Sequence, residues 1–214
     1  MTVTAKICGV STPEAVGAAV AGGAGYLGFV FFEKSPRNIA AEAARRLAEP
    51  ARGGPMRIVA LTVDPSDAEI DRIVGELSPD LIQLHGKETP ARTSEIARRA
   101  GRGVIKALPV LEAADIEAAR EYDGIVEHLM FDAKPPKDAD RPGGLGASFD
   151  WTLLGGRRFE RPWFLAGGLD PWNVTEAAAA SGAPLVDVSS GVERGPGLKD
   201  PALIAAFLDA VRRA

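Results

Sequence analysis

A chain of 214 residues with 46% hydrophobic and 25% charged residues and a formal net charge of −4 has the balance of a globular protein that buries a sizeable core, without the basic excess that nucleic-acid binding requires. One cysteine excludes an internal disulfide framework and a cysteine-based zinc site, and two histidines far apart in sequence form no metal-ligand pattern, so neither metal nor cofactor is expected. No apolar stretch approaches the roughly 18 residues of a membrane span and no signal-peptide pattern opens the chain, which predicts a cytoplasmic protein with neither membrane nor nucleic acid as partner.

The first of eight short apolar runs, Thr2 to Cys8, alternates Val3, Ala5 and Ile7 with Thr4, Lys6 and Cys8, so a strand here puts Lys6 and Cys8 on one face. A cation beside a thiol lowers its pKa from about 8.5, making Cys8 a candidate for proton or nucleophilic chemistry. The bland alternative, a small buried hydrophobe, is the commoner fate of a lone cysteine. Thr12-Pro13-Glu14 then opens a helix with a cap and a proline at its first position.

The second run, Tyr26 to Phe31, leads into Lys34-Ser35-Pro36-Arg37. The Arg37 fork suits a carboxylate, against the plainer reading of a solvated surface arginine. After the third run, Ile58 to Val63, Ser66 and Glu69 make a capping box ahead of Ile70, Ile73, Val74 and Leu77. The fourth run, Leu81 to Leu84, places Gln83 and His85 on one face, where they either orient a substrate or pack by hydrogen bonding. Thr89-Pro90 opens the next helix and Val104 to Leu108 is the fifth run.

The sixth run, Leu129 to Phe131, ends at Asp132. A carboxyl beside an apolar run is suited to hold a proton and donate it to a substrate oxygen, or else it caps a loop. His128, at the start of this run, is expected away from the chemistry. Residues 133–149 break the rhythm with prolines, charges and glycines, the mark of a lid over an active site. The seventh and eighth runs, Trp163 to Ala166 and Leu185 to Val188, each lead into a glycine-containing turn. Gly167, Gly168, Ser189, Ser190 and Gly191 there supply close backbone approach and hydroxyls suited to phosphate. Asp170-Pro171 and Asp200-Pro201 read as the last two helix starts.

Eight strand-like runs alternating with helices predict an α/β protein, a single-domain (β/α)8 TIM barrel over residues 1–214 rather than an open doubly wound sheet. A barrel gathers Cys8, Arg37 and Asp132 at one mouth and puts the two glycine turns where such folds build phosphate sites.

The stretches KICGV (6–10), LGFVFFEKSPRNI (27–39), LIQLHG (81–86), FDAK (131–134), FDW (149–151), LAGGL (165–169) and VDVSSGVERGPGLKD (186–200) together resemble phosphoribosylanthranilate isomerase, in the family's order and over nearly the whole chain. The resemblance implies a (β/α)8 barrel that performs an Amadori rearrangement on a small phosphoribosyl substrate in tryptophan biosynthesis. It implies Cys8 as general base, Asp132 as general acid and Arg37 on the anthranilate carboxylate. Gly168, Asp187, Ser189 and Ser190 fall in or beside the phosphate site, while Lys6, Gln83 and His85 stand as further substrate-binding candidates. One departure is Leu145, where the family's glycine-rich loop has threonine.

Two alternatives remain at this stage. A barrel isomerase of a related aminosugar phosphate pairs two aspartates, whereas the first strand here ends in cysteine. A silent phosphosugar-binding barrel predicts loss of Cys8 or Asp132, and both are present. A monomer is the expected state.

Overall fold

Each apolar run forms a strand, and each strand is buried on both faces, which is why the runs are nearly continuous rather than alternating. The computed structural model describes residues 3–134, 142–144 and 146–214. Its strands are β1 (Thr4–Cys8), β2 (Tyr26–Phe31), β3 (Arg57–Thr62), β4 (Leu81–Leu84), β5 (Gly103–Val110), β6 (His128–Ala133), β7 (Trp163–Leu165) and β8 (Leu185–Val188). Each pairs in parallel with the next, and β1 pairs with β8 to close the barrel.

The period of two sorts each strand's residues between two cores. Tyr26, Val59, Leu81, Ile105, Met130, Phe164 and Leu185 fill the barrel interior. Their neighbours Leu27, Ile58, Ile82, Val104, Leu129, Leu165 and Val186 face outward against the helices. At the mouth the inward positions change character. Cys8, Asp132 and Asp187 follow the apolar layers and bring a thiol and two carboxyl groups to the cleft.

The helices are α1 (Pro13–Ala21), α2 (Ala41–Ala48), α3 (Asp67–Leu77), α4 (Pro90–Ala100), α5 (Ala113–Glu117), α6 (Val174–Ser181) and α7 (Pro201–Val211). Thr12, Ser66, Thr89 and Asp200 cap α1, α3, α4 and α7 through their side-chain oxygens, as their spacing predicts. Asp170-Pro171 does not start a helix. The Asp170 carboxylate accepts from the amides of Trp172 and Asn173, closing a turn, and α6 begins only at Val174.

Between β6 and β7 the described residues hold one 3-10 turn, Trp151–Leu154, in place of an α-helix. After β8 a short antiparallel pair, β9 (Glu193–Gly195) with β10 (Leu198–Lys199), stands outside the barrel. Nothing in the apolar pattern announces it. Among the described residues no helix is long and apolar enough to cross a membrane.

Candidate active site

The site begins with a registry. On β1, Lys6 lies opposite Asp187 of β8, and the Lys6 ammonium donates to the Asp187 carboxylate at 2.8 Å. Lys6 is completely buried. Burial works against its charge, but Asp187 and Cys8 outweigh that and hold its pKa above the usual lysine value.

Cys8 points to the same side, opposite Gly28 of β2, where an added Cβ would stand 3.0 Å from the Cys8 sulfur and 3.1 Å from Lys6 Nζ. Only glycine leaves room there for both groups. The expected lowering of the thiol pKa is not found. Burial pushes the Cys8 thiol up, Lys6 pulls it down, Asp187 pushes it up again, and the net direction is upward. A cation already paired with a carboxylate cannot spend its whole field on the neighbouring sulfur.

Across the barrel, β6 presents Asp132. Its Oδ1 accepts from the amide of Ala133 at 2.8 Å, and its Oδ2 lies 3.1 Å from His85 Nε2. Gln83 Nε2 lies 3.1 Å from His85 Nδ1, so the amide and imidazole form a row ending on the carboxylate. Gln83 itself is fully buried behind His85 and does not line the cleft. Gly143 covers this pair closely: a Cβ there would stand 2.8 Å from His85 Nε2 and 2.9 Å from Asp132 Oδ2.

Arg37 is not a solvated surface arginine. It is 5% exposed, and its Nε and Nη2 donate to the two oxygens of Glu193 at 2.7 and 2.8 Å. The Lys199 ammonium donates to the same carboxylate at 2.6 Å and to the Ser189 carbonyl at 2.9 Å. Burial raises the Glu193 pKa, but Arg37 and Lys199 together hold it below the usual carboxylate range. Burial pulls Lys199 down to about 8. Glu193 and Lys199 escape the sequence reading entirely. The signal available was two charges within the glycine-rich stretch after the eighth run.

Gly167 and Gly168, after β7, both take positive φ, +86° and +66°, and line the cleft together with Ser189 and Ser190 after β8. Gly191 does not line it. Its Cα packs so tightly under the Leu169 carbonyl that a Cβ would lie 1.9 Å from that oxygen, so it seats one turn on the other. Asp187 lies at the cleft wall, yet its charge is committed to Lys6, and a carboxylate would repel a phosphate. Lys6 likewise lies beneath the cleft, outside its lining, where it is paired with Asp187.

Together these walls surround one open cleft at the ends of the strands. Cys8, Arg37, His85, Asp132, both glycine turns and the described lid residues Pro142, Gly143, Gly144, Gly146 and Ala147 line it. The rest of the anticipated lid, 135–141, and Leu145 lie outside the described residues. His128 begins β6 at the opposite end of the barrel and takes no part. The arrangement offers a thiol and a carboxyl in one cleft, with a buried guanidinium and a pair of amide-rich turns around them.

The family described as N-(5′-phosphoribosyl)anthranilate (PRA) isomerase matches residues 5–210 of the chain. The chain is 68% identical over 211 residues to the N-(5′-phosphoribosyl)anthranilate isomerase of Caulobacter sp. (strain K31), covering 99% of both. Its fold resembles the crystal structure of phosphoribosyl anthranilate isomerase from Thermotoga maritima with a TM-score of 0.87 at 35% identity, over 99% of this chain and 100% of that one. A structure of such an isomerase in complex with reduced 1-(o-carboxyphenylamino)-1-deoxyribulose 5-phosphate is similar with a TM-score of 0.84 at 33% identity, over 99% and 100%.

Proposed function

The chain belongs to the N-(5′-phosphoribosyl)anthranilate isomerase family, and from that premise we propose that Cys8 and Asp132 carry the two proton transfers of the reaction. The activity is the isomerisation of N-(5-phosphoribosyl)anthranilate to 1-(2-carboxyphenylamino)-1-deoxyribulose 5-phosphate in tryptophan biosynthesis.

The observation that supports the assignment is the pairing of a thiol and a carboxyl in one cleft that Arg37 and two glycine-containing turns also line. Asp132 donates a proton to the ribose ring oxygen as the C1′–O bond opens, and the anilino nitrogen lone pair forms the Schiff base. The C2′ hydrogen is then acidic, and the Cys8 thiolate removes it. The resulting enolamine tautomerises to the ketone, so atoms are conserved and no oxidant or reductant is needed. His85, 3.1 Å from Asp132, orients the acid, and Gln83 orients His85.

Arg37 takes the aryl carboxylate, and the turns of Gly167, Gly168, Ser189 and Ser190 take the phosphate. Because the phosphate is remote from the reacting carbons, its binding energy positions the sugar for proton transfer. A cytoplasmic setting suits a base that must stay a free thiol. A monomer is supported by the placing of the large exposed apolar side chains of the described residues, Val20, Leu111, Ile125, Trp172 and Leu198, on five separate segments of the chain.

Turnover of phosphoribosylanthranilate generated in situ, followed by loss of its fluorescence, tests the assignment. Cys8→Ser and Asp132→Asn should each lower kcat by about 10²–10⁴ with little change in KM, and Arg37→Ala should chiefly raise KM. Near-normal kcat in both acid-base variants would sink it.

A further inference from the structure

The buried charges at the mouth do not balance in pairs. Lys6 has Asp187 to itself, but Arg37 and Lys199 share the single carboxylate of Glu193, and the side chains of all three are at most 5% exposed. One oxygen of Glu193 accepts from Arg37 Nε and from Lys199 Nζ, and the other accepts from Arg37 Nη2 and from the amide of Gly197 at 3.1 Å. Among the described residues, two cations around one anion leave this cluster with one uncompensated positive charge. Out of water such a charge is unfavourable until an anion arrives.

Geometry decides where that anion sits. Glu193 occupies the Nε–Nη2 edge of the guanidinium, which leaves the Nη1 side free of it. Glycines flank the side chain, for a Cβ on Gly9 would stand 2.6 Å from Arg37 Cδ and one on Gly144 would stand 2.5 Å from Nη1. Lys199 also donates to the Ser189 carbonyl, and the Ser189 hydroxyl donates to the Cys8 carbonyl at 3.1 Å. An unbroken row of hydrogen bonds thus joins Arg37, the turn after β8 and the strand that carries the thiol. A Glu193 that merely held β9 to β10 would need only Lys199, six residues away. The bidentate contact to Arg37, 156 residues away, adds nothing the hairpin requires.

We propose that Glu193, fixed by Lys199, is a positioning residue for substrate discrimination: it commits one edge of Arg37 to the protein, aims the other into the cleft, and sets the spacing between the carboxylate and phosphate seats. The proposal rests on Arg37 as the carboxylate anchor.

The test compares N-(5-phosphoribosyl)anthranilate with the corresponding aniline derivative, which lacks the carboxylate, in the wild-type enzyme and in Glu193→Gln. The wild type should prefer the carboxylated substrate in kcat/KM. In Glu193→Gln that preference should shrink by about tenfold or more, through KM of the carboxylated substrate, as expected for losing a charge-assisted bidentate contact. Equal losses on both substrates, or a preference that survives intact, would overturn the proposal. Should Glu193→Gln fail to fold, Glu193→Asp keeps a counter-charge for Lys199 while shortening the reach to Arg37, and the same ratio decides. A wild-type enzyme indifferent to the carboxylate would overturn the Arg37 assignment underneath, a result visible before any variant is made.

Discussion

A thiol whose pKa lies above the ordinary value is mostly protonated at neutral pH, and this shapes the kinetics expected of Cys8. The proposed mechanism needs the proton on Asp132 and none on Cys8. Burial raises the thiol pKa, Lys6 only partly offsets this because Asp187 holds it, and the net direction is upward. The sign follows: raising the pH converts thiol to thiolate, so the rate of Cys8 alkylation by iodoacetamide should climb about tenfold per pH unit between roughly pH 7 and the ordinary thiol value near 8.5, with no plateau in that interval. Above about pH 8 the loss of the Lys199 proton should begin to raise KM, since it removes a positive charge behind Arg37. A pH profile that is flat from pH 7 upward would contradict the environment described. Cys8 and Asp132 were legible in the sequence because each ends an apolar run, and a strand end in a barrel is a mouth position. Glu193 and Lys199 were not, because the contact that gives them meaning joins residue 37 to residue 193 across the closed barrel. No local spacing encodes that contact. Lys6, Gln83 and Gly191 lie one layer below the cleft lining. Sequence alternation gives the face of a strand but not the height at which a side chain stops reaching the cleft.

At the scale of elements, the loop after β4 is held by a buried ion pair rather than by apolar packing. Lys106 of β5 donates to the Glu88 carboxylate at 2.7 Å and to the Gly86 carbonyl at 2.8 Å. Glu88 in turn accepts from the amides of Asp64 and Gly86, and the Tyr122 hydroxyl donates to the Glu88 carbonyl at 2.9 Å. Two loops and a strand therefore converge on the Glu88 carboxylate, and Tyr122 fixes the same residue by its carbonyl. Both charged side chains are 2% exposed, so Lys106→Met strands a buried carboxylate. It should cost about 3–5 kcal/mol in urea-induced unfolding. A loss below about 1 kcal/mol would mean that water or another cation replaces the lysine. The strands and four of the helix starts were legible because hydrophobic period and capping are local. The start of α6 was not, since an aspartate before proline serves a turn as readily as a cap. The β9–β10 pair was also hidden, because its short strands carry charge and glycine rather than an apolar pattern.

The barrel as a whole separates its two ends. Chemistry collects where the strands finish, and the opposite end is plugged by His128, whose ring stacks edge-on against Tyr26 and Phe164 at centroid distances of 5.8 and 5.4 Å. The Pro162 carbonyl can only accept, so His128 Nδ1 carries the hydrogen, and Nε2 then accepts from the Tyr26 hydroxyl. The neutral ring is fully satisfied. Burial lowers its pKa against weaker opposing pulls from Pro162 and Glu127, and Arg57 adds the smallest push, downward. Above the unfolded value of about 6.5 both states are neutral, and His128 adds no pH dependence. As the pH falls below about 6.5 the unfolded chain takes up the proton first, so stability declines until the depressed folded pKa is reached, by at most about 1.4 kcal/mol per pH unit. His128→Gln keeps a donor and an acceptor but cannot titrate. Unfolding free energies at pH 7 and pH 5.5 should therefore fall more steeply for the wild type than for this variant, while turnover at pH 7 stays alike because His128 lies at the far end from Cys8 and Asp132. Parallel declines in the two proteins would move the acid sensitivity to the carboxylates of the mouth, and a variant that lost turnover would deny that the two ends are independent.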